Sequence, residues 1–545
     1  MKHQQIDRFW TLGLILAAGL LFSINLGALP LRDWDEGIVA QVAREMWRAP
    51  EGSLTWLYPT LGGEPYLNKP PLVYWLIALT YQVGGVNEWT TRLPGAMLAA
   101  LSVPLLYGIG KELFLRRTSA VLAALIYLTL LPVVRHGRLA MLDGALVCFF
   151  LIMLFCLLRA RRDLRWGLGV GIGLGLVCLT KGIVGLLLGA IALVFILWDT
   201  PRLLTSVYLW TGIGLGGMPV AAWYWAQWLR YGEQFLSTHL ISQSLSRIWI
   251  PIENNHGAPW YYVLELLKYT LPWLIFLPQG FHRAWEHRNL GWAKLVLVWT
   301  IGYLGVISLM STKLPWYIMP LYPALALVAG NLLSESWNLA DLTGWFRPVR
   351  RPYPIAWAAC LGLLAIVGWS GCLYFNFFAP IPKPELALIL ITVAITMTTA
   401  AILVKWRDSQ FIPVLLWGMY IALMFLMASR YWVWELNEAY SVKPVAALVQ
   451  QGTPAGATVI TSYPNYRPSL NFYSDRRVLP VNEVYRDHQP ALTTSAAIAE
   501  YWQQTDHPYL LVDAATLNQL SLNAAHRMGE IEGWILVTHQ SAKTR

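Results

Sequence analysis

The sequence predicts a mostly α-helical, polytopic membrane protein that carries a small α/β domain at its C-terminal end. Of its 545 residues, 56% are hydrophobic, and they fall into long blocks instead of alternating with polar residues. A soluble enzyme is excluded by this pattern, because a block of about 20 apolar residues crosses the bilayer as a helix. The blocks predict thirteen spans, at 10–30, 92–114, 119–134, 139–158, 166–180, 183–199, 204–228, 261–281, 292–310, 315–333, 355–378, 385–404 and 411–428.

The basic residues between these blocks predict the orientation of the chain. If the short apolar piece 72–83 does not cross, the basic loops fall on the same side as the N-terminus, which is the distribution of cytoplasmic loops. We therefore interpret 72–83 as an interfacial helix with aromatic anchors. The net charge of +10 has the same origin and indicates no nucleic-acid partner. The basic clusters lie at 116–117, 159–165, 282–288, 347–351 and 405–407.

This orientation divides the chain into two predicted domains. Residues 1–430 form a transmembrane catalytic domain, and its first external loop, 31–91, holds interfacial helices. Residues 431–545 are more polar and form an α/β domain outside the membrane, of a usual domain size. In this domain, β-branched and aliphatic runs predict strands at 458–461, 509–512 and 534–537, and 496–503 predicts a helix.

Asp35 and Glu36 are the first candidate catalytic residues. They directly follow the first span, at the start of a segment whose apolar spacing predicts a short amphipathic helix. One interpretation is that Asp33 caps this helix and Glu36 completes a capping box. Capping alone does not explain three acids within four residues beside hydrocarbon, and it leaves Asp35 available as a base.

Lone lysines occur at three places on the predicted outer face. Lys69 is held in a turn by Pro70 and Pro71, and its ordinary explanation is a lysine whose stem lies along the membrane. Lys181 and Lys313 lie in short connections where the positive-inside rule disfavours a cation. A cation kept near hydrocarbon despite its cost suits an anionic ligand such as a lipid phosphate.

Three further residues are candidates with open alternatives. Arg138 and Asp143 flank the start of a span, and they either pair with each other or serve phosphate binding and catalysis, respectively. His256 lies in an external loop and is either a surface histidine or a metal ligand. It has no partner at a metal-binding spacing in the sequence.

Taken in order, these segments resemble the GT-C class of membrane glycosyltransferases. The resemblance is to the branch that contains the bacterial lipid A aminoarabinose transferases and, more distantly, the protein O-mannosyltransferases, and it covers roughly 10–330. The matching pieces are Asp35-Glu36 with Ala43-Arg44-Glu45-Met46, Lys69-Pro70-Pro71-Leu72 with Tyr74-Trp75, Arg92-Leu93-Pro94, Arg138 to Asp143, Leu179-Thr180-Lys181-Gly182, His256 with Pro259-Trp260-Tyr261-Tyr262 and Pro272-Trp273, and Ser311 to Pro323.

The resemblance implies an inverting transfer of a sugar from undecaprenyl phosphate, or another polyprenyl phosphate, to a lipid, glycan or protein acceptor. The reaction takes place on the outer face of the plasma (inner) membrane, and transfer of a pentose, aminoarabinose, to lipid A is the best-known case. It also implies that Asp35 acts as base or orients the acceptor, and that Lys69 and Lys181 lie near the lipid phosphate. From their charge and place, we add Arg138 and Lys313 as phosphate contacts.

A divalent metal, Zn or Mg, is the cofactor that the resemblance raises. His256 matches a histidine implicated in metal binding in some members. The aminoarabinose transferases have a glutamate before the Lys-Pro-Pro turn, where this chain has Asn68. A neutral amide is a poorer ligand for a divalent cation than a carboxylate, so the metal and the sugar stay open.

Two other classes of protein also place lysines near a membrane. A transporter or flippase for a lipid-linked anion is the first, but we find no internal repeat, and the polar residues gather at one face instead of the bilayer midplane. A noncatalytic scaffold is the second, and it leaves this gathering of charge unexplained. The residues therefore favour a glycosyltransferase whose partners are a lipid-linked donor, an acceptor and the bilayer.

Overall fold

The computed structural model describes residues 2–251, 255–343, 353–434, 440–484, 494–520 and 525–539. Within these ranges, nine helices are long and apolar enough to cross a membrane, and a bent pair of helices makes a tenth candidate. The predicted mostly helical, polytopic membrane protein is confirmed. Thirteen spans stay a prediction, because the spans predicted at 183–199, 204–228 and 261–281 are not among these candidates. Val184–Asp199 is an apolar helix shorter than a full crossing needs, and so is Leu72–Gly84, which the sequence predicts to lie in the interface.

Contacts divide the chain into two compact units. The first unit comprises Met1–Leu26, Leu67–Leu76 and Arg92–Trp432. The second comprises Gly27–Tyr66, Ile77–Thr91 and Val433–Arg545, so it joins most of the first external loop to the C-terminal residues. The longer helices from the N-terminus to residue 428 are Lys2–Ser23, Asp35–Arg48, Leu72–Gly84, Glu88–Leu113, Arg117–Leu128, Leu131–Arg138, Leu142–Ala160, Gly167–Lys181, Val184–Asp199, Val207–Tyr231, Leu236–Leu245 (a π-helix), Tyr261–Tyr269, Leu277–Glu286, Gly291–Leu309, Tyr322–Thr343, Ile355–Leu373, Pro384–Lys405 and Phe411–Ala428.

Two predicted spans are broken in the structure. The span predicted at 119–134 bends by 58° between Leu128 and Leu131, where Pro132 stands in the first turn of the second helix. The span predicted at 261–281 consists of Tyr261–Tyr269, a 3₁₀ turn and Leu277–Glu286. Proline has no N–H to donate to the preceding turn, so Pro272 interrupts the helix although the segment is mostly apolar, and Pro278 stands in the first turn of the next helix.

Glycines bring two helices of the first unit into close contact. A Cβ atom on Gly171 would lie 2.0 Å from the Gly212 carbonyl carbon, and one on Gly216 would lie 2.2 Å from the Gly171 oxygen. Only glycine permits two helix backbones to approach this closely, and small residues spaced by four are a common means of packing helices in membranes. Because Lys181 ends the Gly167–Lys181 helix, this contact determines where its side chain lies.

The C-terminal part of the second unit is a five-stranded mixed sheet flanked by helices. The strands predicted at 458–461, 509–512 and 534–537, and the helix predicted at 496–503, are present. Two strands were not predicted, one because it has four residues and ends in proline, the other because it is exposed along its length and does not alternate. In sheet order the strands are Arg477–Pro480, Thr458–Thr461, Tyr509–Asp513, Trp534–His539 and Ala525–Ile531, of which the first three are parallel.

We expect Gly216→Ala to destabilise the protein and Gly214→Ala to leave its stability unchanged. The new methyl group at Gly216 meets the backbone of the neighbouring helix, whereas a Cβ atom at Gly214 has nothing within 4 Å. Overpacking of this kind costs about 1–3 kcal/mol. Thermal unfolding of the two purified variants in detergent measures the difference, and equal unfolding temperatures would contradict the close packing.

Candidate active site

Three cationic side chains of the first unit, Lys69, Lys181 and Arg247, lie close together, and we call them the cationic cluster. Lys181 Nζ lies 2.7 Å from Asp143 Oδ1 and 5.2 Å from the centre of the Tyr317 ring. Arg247 donates a hydrogen bond of 2.7 Å to the Tyr317 hydroxyl. The charges of Arg247, Lys181 and Asp143 all affect the pKa of Lys69, so the four charged groups share one region.

The cationic cluster carries more positive than negative charge. The pKa of Lys69 is lowered to about 7, chiefly by burial and then by the charges of Arg247 and Lys181, and the charge of Asp143 opposes this shift. Among the described residues whose charges act on Lys69, two are cations and one is a carboxylate. Where charges are partly removed from water, such an imbalance is costly, and a bound anion would relieve it.

His239 holds the turn that contains Lys69. Its Nδ1 lies 3.0 Å from the Leu67 carbonyl oxygen, and its Nε2 lies 2.8 Å from the Tyr224 hydroxyl. Burial lowers the pKa of His239 to about 4, so the ring is neutral at physiological pH. In a neutral ring, Nδ1–H donates to Leu67 and Nε2 accepts from Tyr224.

The short helix that carries Arg247, Ser246–Trp249, is fixed by the residues after the Gly291–Leu309 helix. Ser311 N and Thr312 N donate to the carbonyl oxygens of Ile248 and Arg247, at 2.9 Å and 3.2 Å. Together with the bond from Arg247 to the Tyr317 hydroxyl, these contacts hold both the backbone and the guanidinium of Arg247.

Arg138 and Lys313 bind backbone carbonyls at the ends of helices. Arg138 donates to the oxygens of Leu21, at 2.7 Å, and Ile24, beside the end of the first helix. Lys313 Nζ donates to Ile307 and Ser308, at 3.0 Å and 2.6 Å, in the last turn of the Gly291–Leu309 helix. Cations are favourable at such positions because helix C-termini carry partial negative charge. The contact of Arg138 and Lys313 with a lipid phosphate stays a prediction. The partners of Arg138 are the carbonyl oxygens of Leu21 and Ile24, whereas the partner of Asp143 is Lys181.

The second unit contains the other candidate residues, in a segment that we call the acidic turn, residues 32–36. Arg32 donates to the Asp35 carboxylate at 3.1 Å, and Glu36 Oε2 accepts from the Arg32 backbone N–H at 2.9 Å. Asp33 binds Arg467 and Ser469 instead of capping the helix, whose cap position, Trp34, makes no side-chain cap bond.

Asp35 is the most exposed of the three acids in the acidic turn. Its side chain is 23% exposed, against 3% for Asp33, and Glu36 is fully buried. Only a carboxylate that can be approached can exchange a proton with an acceptor. The geometry therefore favours Asp35 as base and gives Glu36 a supporting part, while both catalytic assignments stay predictions.

His256 forms an isolated backbone bridge with Thr312. Among the described residues, which exclude 252–254 beside it, no three His, Cys, Asp or Glu side chains gather in a group that could hold a metal ion. The divalent metal stays a prediction, and we derive no step through it.

Comparison with known proteins identifies the class of enzyme. The family model "Dolichyl-phosphate-mannose-protein mannosyltransferase" matches residues 68–225, which include Lys69, Asp143 and Lys181. The undecaprenyl phosphate-alpha-4-amino-4-deoxy-L-arabinose arabinosyl transferase 1 of Pseudomonas fluorescens is 29% identical over 70% of this chain and 68% of its own length. A relative from Pseudomonas aeruginosa is 28% identical over 72% of this chain and 71% of its own length.

Solved structures share the fold. The crystal structure of ArnT from Cupriavidus metallidurans bound to undecaprenyl phosphate has a TM-score of 0.78, with 20% identity and 98% of each chain covered. The archaeal oligosaccharyltransferase AglB from Archaeoglobus fulgidus has a TM-score of 0.56, with 13% identity, over 93% of this chain and 69% of its own. The chain is a GT-C membrane glycosyltransferase of the ArnT and protein mannosyltransferase type.

Arg247, His239 and Tyr317 are residues of this GT-C glycosyltransferase that our sequence analysis missed. Arg247 is a cation in the predicted external segment 229–260, a side of the membrane on which the positive-inside rule disfavours cations. No comparable signal selects His239 or Tyr317, because their importance comes from the partners that folding brings to them.

We expect Lys313→Gln to lower the stability of this GT-C glycosyltransferase. The substitution removes the bonds to Ile307 and Ser308 from a side chain that is 3% exposed. Loss of a buried hydrogen bond to a charged group costs about 1–3 kcal/mol. Thermal unfolding measures this loss, with Lys268→Gln as control, because the Lys268 side chain is 59% exposed. Unchanged stability together with weaker phosphate binding would instead indicate that Lys313 contacts the phosphate.

Proposed function

We propose that this enzyme transfers 4-amino-4-deoxy-L-arabinose from undecaprenyl phosphate to lipid A, with inversion at the anomeric carbon. The excess of positive charge in the cationic cluster is the observation that carries the proposal, because it suits the phosphate of a lipid-linked sugar donor. The names of the Pseudomonas relatives support the donor and the sugar. The similarity of fold to ArnT, which has been crystallised with undecaprenyl phosphate, supports the same donor.

The cationic cluster would bind the donor phosphate and stabilise it as a leaving group. In the transfer, an acceptor oxygen forms a bond to the anomeric carbon while the bond from that carbon to the phosphate oxygen breaks. The electron pair of the broken bond goes to the phosphate, which gains one negative charge. Lys69, Lys181 and Arg247 are fixed near one another before the reaction, so they can stabilise this charge without rearranging.

Asp35 would accept the proton that the acceptor loses. A hydroxyl group becomes a better nucleophile as its proton moves to a base within hydrogen-bond reach. Arg32, at 3.1 Å, holds the Asp35 carboxylate in place. Asp143 would keep Lys181 oriented toward the phosphate through their 2.7 Å contact.

The reaction would take place on the outer face of the inner membrane, with the N-terminus in the cytoplasm. The basic clusters that follow the predicted spans support this orientation, because cytoplasmic loops carry an excess of lysine and arginine. It places the connections that contain Lys69, Lys181 and Arg247 outside the cytoplasm. The C-terminal sheet would lie on the same side.

We expect Arg247→Met to weaken donor binding and Asp35→Asn to abolish transfer while leaving donor binding intact. The first variant removes a charge from the proposed phosphate site, which is worth about 1.5–3 kcal/mol. The second removes only the proposed base. Binding of undecaprenyl phosphate to the purified protein and transfer of the sugar to lipid A, followed by mass spectrometry, measure the two effects separately.

Arg230→Met is the matched control for Arg247→Met, because Arg230 is an exposed arginine in the same external segment. Equal loss of binding in both variants would mean that the protein attracts the lipid only through its general positive charge. Donor binding without turnover in the wild-type protein, under every acceptor tried, would favour the lipid transporter over the transferase.

We expect donor affinity to fall as pH rises above about 7. Bound phosphate favours the charged form of Lys69 and so raises its pKa, which means that binding takes up a proton between the free and bound pKa values. Affinity is therefore full below the pKa of the free protein and falls by up to about tenfold per pH unit above it. Binding of a polyprenyl phosphodiester with a neutral sugar, from pH 6 to pH 9, measures the slope, because its charge is constant there.

Lys69→Arg provides the control for this pH dependence. A guanidinium stays protonated throughout the range, so the variant should bind the lipid with a nearly constant affinity. The same slope in this variant and in the wild-type protein would assign the titration to another group.

A further inference from the structure

The backbone of the acidic turn is strained at Trp34. This residue has φ 63° and ψ −69°, and Asp35 N donates to Asp33 O at 2.8 Å. A positive φ with a hydrogen bond across two residues defines a γ-turn of the rare kind, which residues with a side chain seldom adopt. Such strain persists only where neighbouring contacts fix the chain, and it is concentrated at functional sites.

The contact that fixes the chain on one side of Trp34 is a buried ion pair within the second unit. Asp33 accepts from Arg467 Nε, from the Ser469 hydroxyl and, at 3.2 Å, from Ser469 N. The side chains of Asp33 and Arg467 are 3% and 4% exposed. Arg467 also donates to Tyr440 O at 3.2 Å and lies 4.0 Å from the centre of the Tyr440 ring, so the arginine itself is held firmly.

The contact continues from the acidic turn along the Asp35–Arg48 helix. A Cβ atom on Gly37 would lie 2.7 Å from Ser469 N, so glycine is required for the backbones to approach. Further along, Arg44 donates to Phe472 O at 2.7 Å. The Pro468–Ser474 helix of the C-terminal region therefore supports both the start and the middle of the helix that carries Asp35.

We propose that Arg467 is a positioning residue for sugar transfer. By fixing Asp33, it keeps Trp34 in the γ-turn, and the γ-turn sets the direction of the Asp35 carboxylate. The C-terminal domain thereby takes part in catalysis through the position of Asp35. This inference rests on the proposed role of Asp35 as base. The alternative is that the ion pair only stabilises the second unit.

The test compares glycine with alanine at position 34, with and without Arg467. Arg467→Met should lower kcat by about tenfold to a hundredfold, the effect of a misplaced catalytic group, with donor KM unchanged. Glycine adopts the γ-turn without strain and alanine does not. In the Arg467→Met background, Trp34→Gly should therefore exceed Trp34→Ala in kcat by about fivefold. In the wild-type background the two should be equal, because Arg467 holds the turn in either case.

Equal kcat values for the glycine and alanine variants in the Arg467→Met background would overturn the proposal. So would an unchanged kcat in Arg467→Met itself. Arg527→Met is the control, since its side chain is 53% exposed at the edge of the sheet. Ser469→Ala removes one donor to Asp33 and should cause a smaller loss of kcat in the same direction. It replaces Arg467→Met if that protein does not fold.

Hydrogen exchange separates this inference from the proposed function. The amides of Asp35 and Gly37 donate to Asp33 O and Arg32 O, at 2.8 Å and 2.9 Å, so they should be protected. Arg467→Met should accelerate exchange in the peptide that covers 31–40, whether or not transfer can be measured. Unchanged exchange overturns the inference even in an active enzyme. A wild-type protein without transfer activity would refute the proposed function. Hydrogen exchange would then still decide whether Arg467 fixes the γ-turn.

Discussion

The first unit depends on holding three cations near one another, Lys69, Lys181 and Arg247. Burial lowers the pKa of Lys69, and the charges of Arg247 and Lys181 lower it as well. Like charges at close range repel one another, so each cation requires its own restraint. Asp143 restrains Lys181, the Tyr317 hydroxyl restrains Arg247, and the turn of Lys69 depends on His239. Because the three cations are held near one another, binding of an anion would relieve the repulsion between them.

The restraints explain several features that would otherwise look unrelated. The close glycine contact between Gly167–Lys181 and Val207–Tyr231 sets Lys181, which ends one helix, and Tyr224, which supports His239 from the other. Lys313, by contrast, binds the last turn of the Gly291–Leu309 helix, and the residues that follow this helix bind the segment that carries Arg247. Cations of the same type thus have different tasks, and only some of them remain available to a ligand.

The sequence predicted the class of fold because hydrophobic blocks and strand-like runs are local signals. It did not predict the breaks at Pro132 and Pro272, since an apolar segment can contain a bend without a change of composition. For the site, it selected Asp35, Lys69 and Lys181 as candidates whose roles stay predictions, yet it could not tell that Lys313 and Arg138 bind carbonyl groups. Such contacts depend on the direction of a side chain. The bond between Asp33 and Arg467 joins positions separated by 434 residues and leaves no trace in either local segment.

The ion pair of Asp33 and Arg467 also has a consequence for biosynthesis. The ribosome makes the acidic turn 434 residues before Arg467, and domains generally fold in the order in which they are made. During translation, the strained backbone at Trp34 therefore lacks the contact that holds it. The proposed base would reach its working geometry only after Arg467 has been made and has folded against it. A shorter nascent polypeptide in the membrane would therefore not consume lipid-linked sugar.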